Sequence, residues 1–296
     1  MSCIETVTES LTGRAAILRL LPMSRREAFG RVGAPLAWEA EEGTGIQRTI
    51  APTDLGREFL RDGYPELVTH PERDIQLWHA GFTQTYLERD VRSLRQVGGL
   101  TQFQSFLRAL AARSGQLLNL STLARDLGVA VNTAKAWLSV LEATHRIFIV
   151  RPYFANIGKR LVKTPKIYFG DPGTLCYLTG LRDPDHAAAG PMAGCLMETA
   201  VLGEIIKTLT SRGLSPQVHF WRTAAGVEVD FLVEAGTKFI PIEVKKSATP
   251  RPAMATSLRA FQRDLGDRVG PAYLVHSGEG KLPLGSGVTA VGFSEL

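Results

Sequence analysis

Glu228 and Asp230 stand two residues apart, as do Glu243 and Lys245. In an extended strand, positions i and i+2 share a face, so each pair presents its charged groups together. Two carboxylates meeting an ammonium across neighbouring strands could hold Mg²⁺ or Mn²⁺, which take oxygen donors and keep several waters. Such an ion polarises a phosphoryl oxygen and acidifies a bound water. Lys245 would orient that water or offset developing negative charge. The candidate catalytic residues are therefore Asp230, Glu243 and Lys245, and the candidate metal ligands are Glu198, Asp230 and Glu243. Glu228 is left open between a ligand and the solvent-facing member of an alternating strand. Cys3, Cys176 and Cys195 form no CxxC pair and the six histidines no HExxH. Neither zinc nor a disulfide framework is suggested, and metal chemistry falls to oxygen donors.

These residues need a frame that converges them. Residues 195–210 repeat apolar positions at helical spacing (Leu196, Ala200, Leu202, Ile205, Ile206, Leu209), which places Glu198 on a helix. Strands are expected over 218–222, 227–234 and 238–245, with turns at Gly226 and Gly236. A helix over 253–265 and a strand over 271–276 complete an α-β-β-β-α-β order.

Upstream, residues 120–141 carry helix-turn-helix spacing, with Ser121 as the first cap, a small Ala124 and a turn at Gly128. Strands over 146–151 and 166–169 follow, so the segment reads as a winged helix. From Arg146 to Phe169 there are six basic residues and no acidic one. Lys159, Arg160, Lys163 and Lys166 are candidate phosphate contacts, and Asn132, Thr133 and Lys135 are the polar positions at the start of the recognition helix. Lys163 and Lys166 are equally suited to pair with carboxylates of the C-terminal domain and set its docking. Trp137 and Trp221, among apolar neighbours, read as packing residues rather than base-stacking platforms. Arg89 and Arg92 beside Asp90 read as surface pairs.

The remaining segments are plainer. Residues 75–97 and 103–114 show helical apolar spacing, including Leu77, Phe82, Tyr86 and Val91 in the first. Residues 31–60 are Gly/Ala/Pro-rich and read as loop, and 181–194 as a flexible break between domains. Residues 14–21 read as a buried strand closed by Pro22, with Ser24 as a helix cap.

Asp230 … Glu243-Val244-Lys245, with Glu198 on the preceding helix, resembles the PD-(D/E)xK nuclease superfamily. A wider set of segments is similar to prokaryotic AAA-type ATPases with a C-terminal domain of unknown function. These are Ser10-Leu-Thr-Gly-Arg14, Leu20-Leu-Pro-Met-Ser24, Gly63-Tyr-Pro-Glu66, 86–92, Lys163-Thr-Pro-Lys-Ile-Tyr-Phe169 and Phe220-Trp-Arg-Thr223. The resemblance implies a P-loop core, a helical lid, a winged helix and a nuclease-like domain. No GxxxxGK[ST] occurs in this sequence, so ATP binding is not expected and the chain reads as a truncated member.

The expected fold class is multidomain α/β. It divides into 1–30 (the last strand of an ATPase core), 31–115 (lid-like helices), 116–180 (winged helix) and 190–296 (a restriction-endonuclease-like domain). Three functions stand side by side: a Mg²⁺- or Mn²⁺-dependent DNA nuclease, a non-catalytic DNA-binding module, and a protein-interaction remnant without enzymatic activity. DNA is the expected partner, a homo-oligomer is allowed, and no membrane is implied. With no apolar run of spanning length and a net charge of +5, a cytoplasmic location is the expectation.

Overall fold

Two glycine turns set the register of the strands that carry the charged residues. In the computed structural model, which describes residues 18–39, 52–86, 99–153 and 163–296, Gly226 (φ +87°) joins β3 (Val218–Arg222) to β4 (Glu228–Ala235). Gly236 (φ +62°) joins β4 to β5 (Lys238–Lys245). Both angles lie where a Cβ is strained, so glycine fits these turns. β3, β4 and β5 pair antiparallel, with Phe231 opposite Ile242.

The chain is mixed α/β. Among the described residues, eleven α-helices surround an eight-stranded mixed sheet of order β2-β1-β3-β4-β5-β6-β8-β7. The helices are α1 (Arg25–Ala28), α2 (Pro52–Arg61), α3 (Pro65–Thr69), α4 (Ile75–Tyr86), α5 (Leu100–Ala111), α6 (Leu120–Asp126) and α7 (Val131–Ala143). After the hairpin β1 (Ile147–Pro152) and β2 (Lys166–Phe169) come α8 (Pro172–Thr179), α9 (Pro184–Ala189) and α10 (Ala193–Ser211). Beyond β5 follow α11 (Thr256–Leu265), β6 (Ala272–His276), β7 (Lys281–Gly285) and β8 (Val288–Gly292). No helix among the described residues is long and apolar enough to cross a membrane.

The sheet separates two apolar layers. On one side α10 buries Leu196, Met197, Val201, Leu202 and Ile205 in a cluster that also holds Ile242 and Val275. That cluster runs on through Phe59, Phe103, Trp137 and Phe169 to Leu296, so upstream helices and sheet share one core. On the other side α11 packs Leu258, Phe261 and Leu265 against Trp221, Leu232, Phe239 and Leu274. Trp137 meets Phe103 edge-on at 5.5 Å and Trp221 meets Phe261 at 5.4 Å, so both tryptophans are core residues.

Several local expectations change. Asn119, not Ser121, caps α6, accepting the Thr122 amide at 3.0 Å. The segment expected to be a flexible break holds α9, started by Asp183 (which accepts the His186 amide at 2.7 Å) and Pro184. Asp-Pro there is a cap followed by a preorganised first helical residue. Within the expected loop 31–60 begins α2, which runs on to Arg61. At Gly56 its backbone approaches Pro184 so closely that a Cβ would stand 1.9 Å from the Pro184 carbonyl oxygen. Of the apolar positions expected inside the first helix, Tyr86 is buried but Leu77 is exposed, and Val91 lies outside the described residues. Residues 18–21 form no strand, and Leu18 and Leu20 are exposed, because no described strand pairs with them. Residues 14–17, Arg89 and Arg92 lie outside the described residues.

At the start of the described chain, Ser24 closes a capping box with Glu27. The Arg26 guanidinium then reaches α10, donating to Glu204 Oε1 at 3.0 Å, to the Ala34 and Pro35 carbonyls and to the Leu296 oxygen.

Candidate functional site

One step beyond the Phe231–Ile242 pair, Asp230 faces Glu243 across β4 and β5. Asp230 Oδ2 accepts the Val244 amide at 2.8 Å. Glu243 alternates with Ile242 and Val244, which belong to the α10-side core, so its side chain points toward α11. There Glu243 Oε2 accepts from Ser257 Oγ at 2.9 Å, and Oε1 from Lys245 Nζ at 2.5 Å. Asp230 and Glu243 are buried, whereas the Lys245 side chain is 38% exposed. Glu198, from α10, accepts from the Tyr168 hydroxyl at 2.7 Å.

The structure adds a group from upstream of residues 190–296. Lys166 of β2 is buried, and its ammonium stands 4.0 Å from Glu198, 3.9 Å from Asp230 and in direct contact with Glu228. It also donates to Tyr168 Oη at 3.4 Å, and Arg222 pairs with the other oxygen of Glu228 at 3.0 Å. Of the two readings open for Lys166, contact with carboxylates of the C-terminal segment is the one observed. Its ammonium is buried among these carboxylates rather than presented to solvent. Lys163 is exposed, as are Asn132 and Lys135, while Thr133 is half-buried. Lys159 and Arg160 lie outside the described residues.

Electrostatics follow from burial. Removal from water, then the charge of Asp230, push the Glu243 carboxyl up to about 8 against Lys245 and Ser257. The same two causes push Glu198 up to about 7 against Lys166 and Tyr168. Burial raises Asp230 as well, opposed by Lys166 and the Val244 amide. Burial works against the Lys166 ammonium, but Asp230, Glu198 and Glu228 outweigh it, and its pKa rises. The cluster thus holds protons that the unfolded chain would release.

That sets a sign. A carboxyl whose folded pKa exceeds its unfolded value destabilises the fold as pH rises from the unfolded pKa to the folded one. In EDTA the melting temperature should fall as pH goes from about 4.5 to about 8, the window of Glu198 and Glu243. Glu243→Gln should flatten the upper part of that slope. A melting curve that rises over this window, or a slope unchanged in Glu243→Gln, would refute it.

The donor set suits a hard divalent cation by kind: carboxylate oxygens from α10, β4 and β5, with an ammonium beside them. As they stand, no three His, Cys, Asp or Glu side chains among the described residues converge closely enough to ligate a metal. Their oxygens turn instead to Lys166, Lys245, Tyr168, Ser257 and the Val244 amide. A buried ammonium among carboxylates is a stand-in cation, and the charge it offsets is what a metal would offset. The local signal for Lys166 is only its two-residue spacing from Tyr168 on β2, which puts both on one face. Nothing local says that this face meets β4.

Comparison with known proteins gives two adjoining matches. Residues 53–185 match a domain of unknown function (DUF8612), and residues 193–296 match a second domain of unknown function (DUF4143). The first matched segment ends within α9 and the second begins at the first residue of α10. An uncharacterised protein of Mycobacterium tuberculosis and one of Mycobacterium bovis are each 34% identical over 248 residues, covering 82% of this chain and 54% of the relative. The chain therefore spans about half the length of the curated relatives it matches. No solved structure matches it.

Proposed function

We propose that residues 190–296 form a PD-(D/E)xK-like, Mg²⁺- or Mn²⁺-dependent phosphodiester hydrolase acting on DNA. In this reading α6, α7, β1 and β2 form a winged helix that brings the nucleic acid to it. The observation that supports the reading is Asp230 one residue past the Phe231–Ile242 pair with its Oδ2 on the Val244 amide, Lys245 on Glu243, and Glu198 of α10 sharing Lys166 with Asp230. A bound divalent ion would supply Lewis-acid polarisation of the phosphate and a more acidic water. Asp230, Glu243 and Glu198 would hold it. The Lys245 ammonium, oriented by Glu243, would then offset the charge that develops on the phosphoryl oxygens. The DUF4143 match supports the likeness to AAA-associated proteins, and the exposed Asn132, Lys135 and Lys163 offer contacts for a duplex.

The second reading is a non-catalytic DNA-binding or interaction module. The engaged carboxylates favour it, since a cluster neutralised by its own lysines needs no metal to fold. One experiment separates the two. Wild type and Asp230→Asn are titrated with Mn²⁺ by calorimetry and incubated with plasmid DNA. On the hydrolase reading wild type binds the ion and nicks the plasmid, and Asp230→Asn does neither. Absence of both binding and nicking in wild type at millimolar Mn²⁺ rejects that reading.

A further inference from the structure

Away from the carboxylates of β4 and β5, a cavity of about 250 Å³ lies where α1, α2, α3 and α8 meet α10 and Phe293. Both matched segments build its walls: Phe59 and Pro172 come from the first, Ala200 and Phe293 from the second. Met23 and Phe29 close it from the stretch ahead of them. Ligand pockets favour such junctions between units.

The charged groups of the wall are already matched. Arg25 holds Glu58 in direct contact, and Lys207 Nζ donates to both Asp62 oxygens at 2.9 and 3.0 Å. Glu204 accepts from the Arg26 guanidinium at 3.0 Å and from the Arg25 amide at 2.7 Å. Arg61 turns to the Leu67 and His70 carbonyls at 2.7 and 2.9 Å. Burial pushes the Glu58 carboxyl up, and Asp62 to about 6, against Arg25 and Lys207 respectively, so this wall is poorly hydrated. A charged ligand would meet both signs here and gain no net attraction to offset its lost hydration.

The cavity is also held in shape. The Arg25 guanidinium lies over the Phe293 and Phe29 rings, 4.6 and 5.6 Å from their centroids. Asp62 sits at φ +51°, a region costly to residues other than glycine, and Lys207 fixes it there. Backbone strain of this kind gathers at ligand clamps.

We propose that this cavity is a binding site for a small, uncharged aromatic molecule of two fused rings. An apolar cavity of about 150 Å³ takes one benzene ring, and 250 Å³ leaves room for a second. The Phe29, Phe59 and Phe293 rings offer edges and faces of the kind that aromatic pairs favour. Because the walls belong to both matched segments, an occupant ties α2 and α3 to α10. The bound chain should therefore resist unfolding more than the free one.

The test uses the full chain and coumarin, a neutral two-ring probe, with calorimetry for affinity and thermal melting for stability. Wild type should bind it with a Kd below about 1 mM, within reach of so small a ligand in a preformed apolar pocket. Saturating coumarin should raise the melting temperature. 1-Naphthoate and 1-naphthylmethylamine, an anion and a cation on similar rings, should bind at least about tenfold more weakly. Ala28→Phe, which fills the cavity from α1, should weaken coumarin binding at least about tenfold without lowering the melting temperature. Leu214→Phe, at an exposed position outside the cavity, should match wild type. If Ala28→Phe fails to fold, Val68→Phe, at a half-buried wall position on α3, takes its place. No binding by wild type at millimolar coumarin overturns the proposal. Equal affinity in wild type and a folded filling variant overturns it too, since the probe then sits elsewhere. Charged analogues bound as tightly as coumarin overturn the uncharged ligand class on which the site is defined. None of these outcomes bears on the Mn²⁺ reading of Asp230 and Glu243.

Discussion

Replacing Lys245 by alanine should lower Mn²⁺-dependent DNA nicking by about 10²- to 10³-fold, the usual cost of removing one group that stabilises transition-state charge. The melting temperature should stay within a few degrees of wild type. The argument turns on exposure. The Lys245 side chain is 38% exposed and Glu243 is nearly buried, so the pair is half solvated on the lysine side. Ion pairs with a solvated member contribute about 0–1 kcal/mol, and Glu243 keeps the Ser257 hydroxyl as a partner. A structural role for Lys245 predicts the reverse pattern, with marked destabilisation and no change in any nicking that occurs. Measuring both quantities on Lys245→Ala decides between them. A large fall in melting temperature with nicking intact would count against the hydrolase reading.

A second large effect is expected far from this cluster. Arg26→Ala should lower the free energy of unfolding by about 3–5 kcal/mol, the range for breaking a buried ion pair from one side. The side chains of Arg26 and Glu204 are only 10% and 4% exposed, so removing the guanidinium leaves Glu204 charged and poorly solvated. The same guanidinium bonds the Pro35 and Leu296 oxygens, which lose that donor, and the Ala34 carbonyl, which keeps Arg212 at 2.8 Å. Adding Glu204→Gln to Arg26→Ala should recover part of the loss by removing the stranded charge. Urea unfolding of the two variants tests this. A loss below about 1 kcal/mol in Arg26→Ala would place the contact among those that contribute little.

Much of the site was legible before any coordinates. Glu228 and Asp230, like Glu243 and Lys245, lie two apart in segments of alternating or apolar residues, and that period places them together on a strand. Gly226 and Gly236 mark the turns, and with both turns placed the antiparallel register that sets Asp230 against Glu243 follows from counting. Helical spacing in 195–210 put Glu198 on α10, and the order of elements from α10 to β6 is readable from periodicity alone. These features depend on neighbours in sequence, and local sterics and backbone hydrogen bonding suffice to encode them.

Other features depended on contacts between distant segments. Ser121 has the side chain of a cap for α6, but Asn119, two residues earlier, stands at the N-cap and accepts the Thr122 amide. Asp183-Pro184 looked like a breaker and instead starts α9, because α2 offers a glycine for that helix to rest on. The hairpin β7–β8 escaped notice: its turn through Gly285, Ser286 and Gly287 has three positive φ angles in a row, in a segment too short and polar to show a period. Lys166 is the clearest case. Its own sequence environment is basic and fits a phosphate contact and a carboxylate partner equally well. The pairing of β1 with β3, residue 151 against residue 219, carries it beside Glu198, Glu228 and Asp230. Chain closure over such a separation is decided by the summed burial of the whole core rather than by any local preference, so only the tertiary structure could assign that lysine its partners.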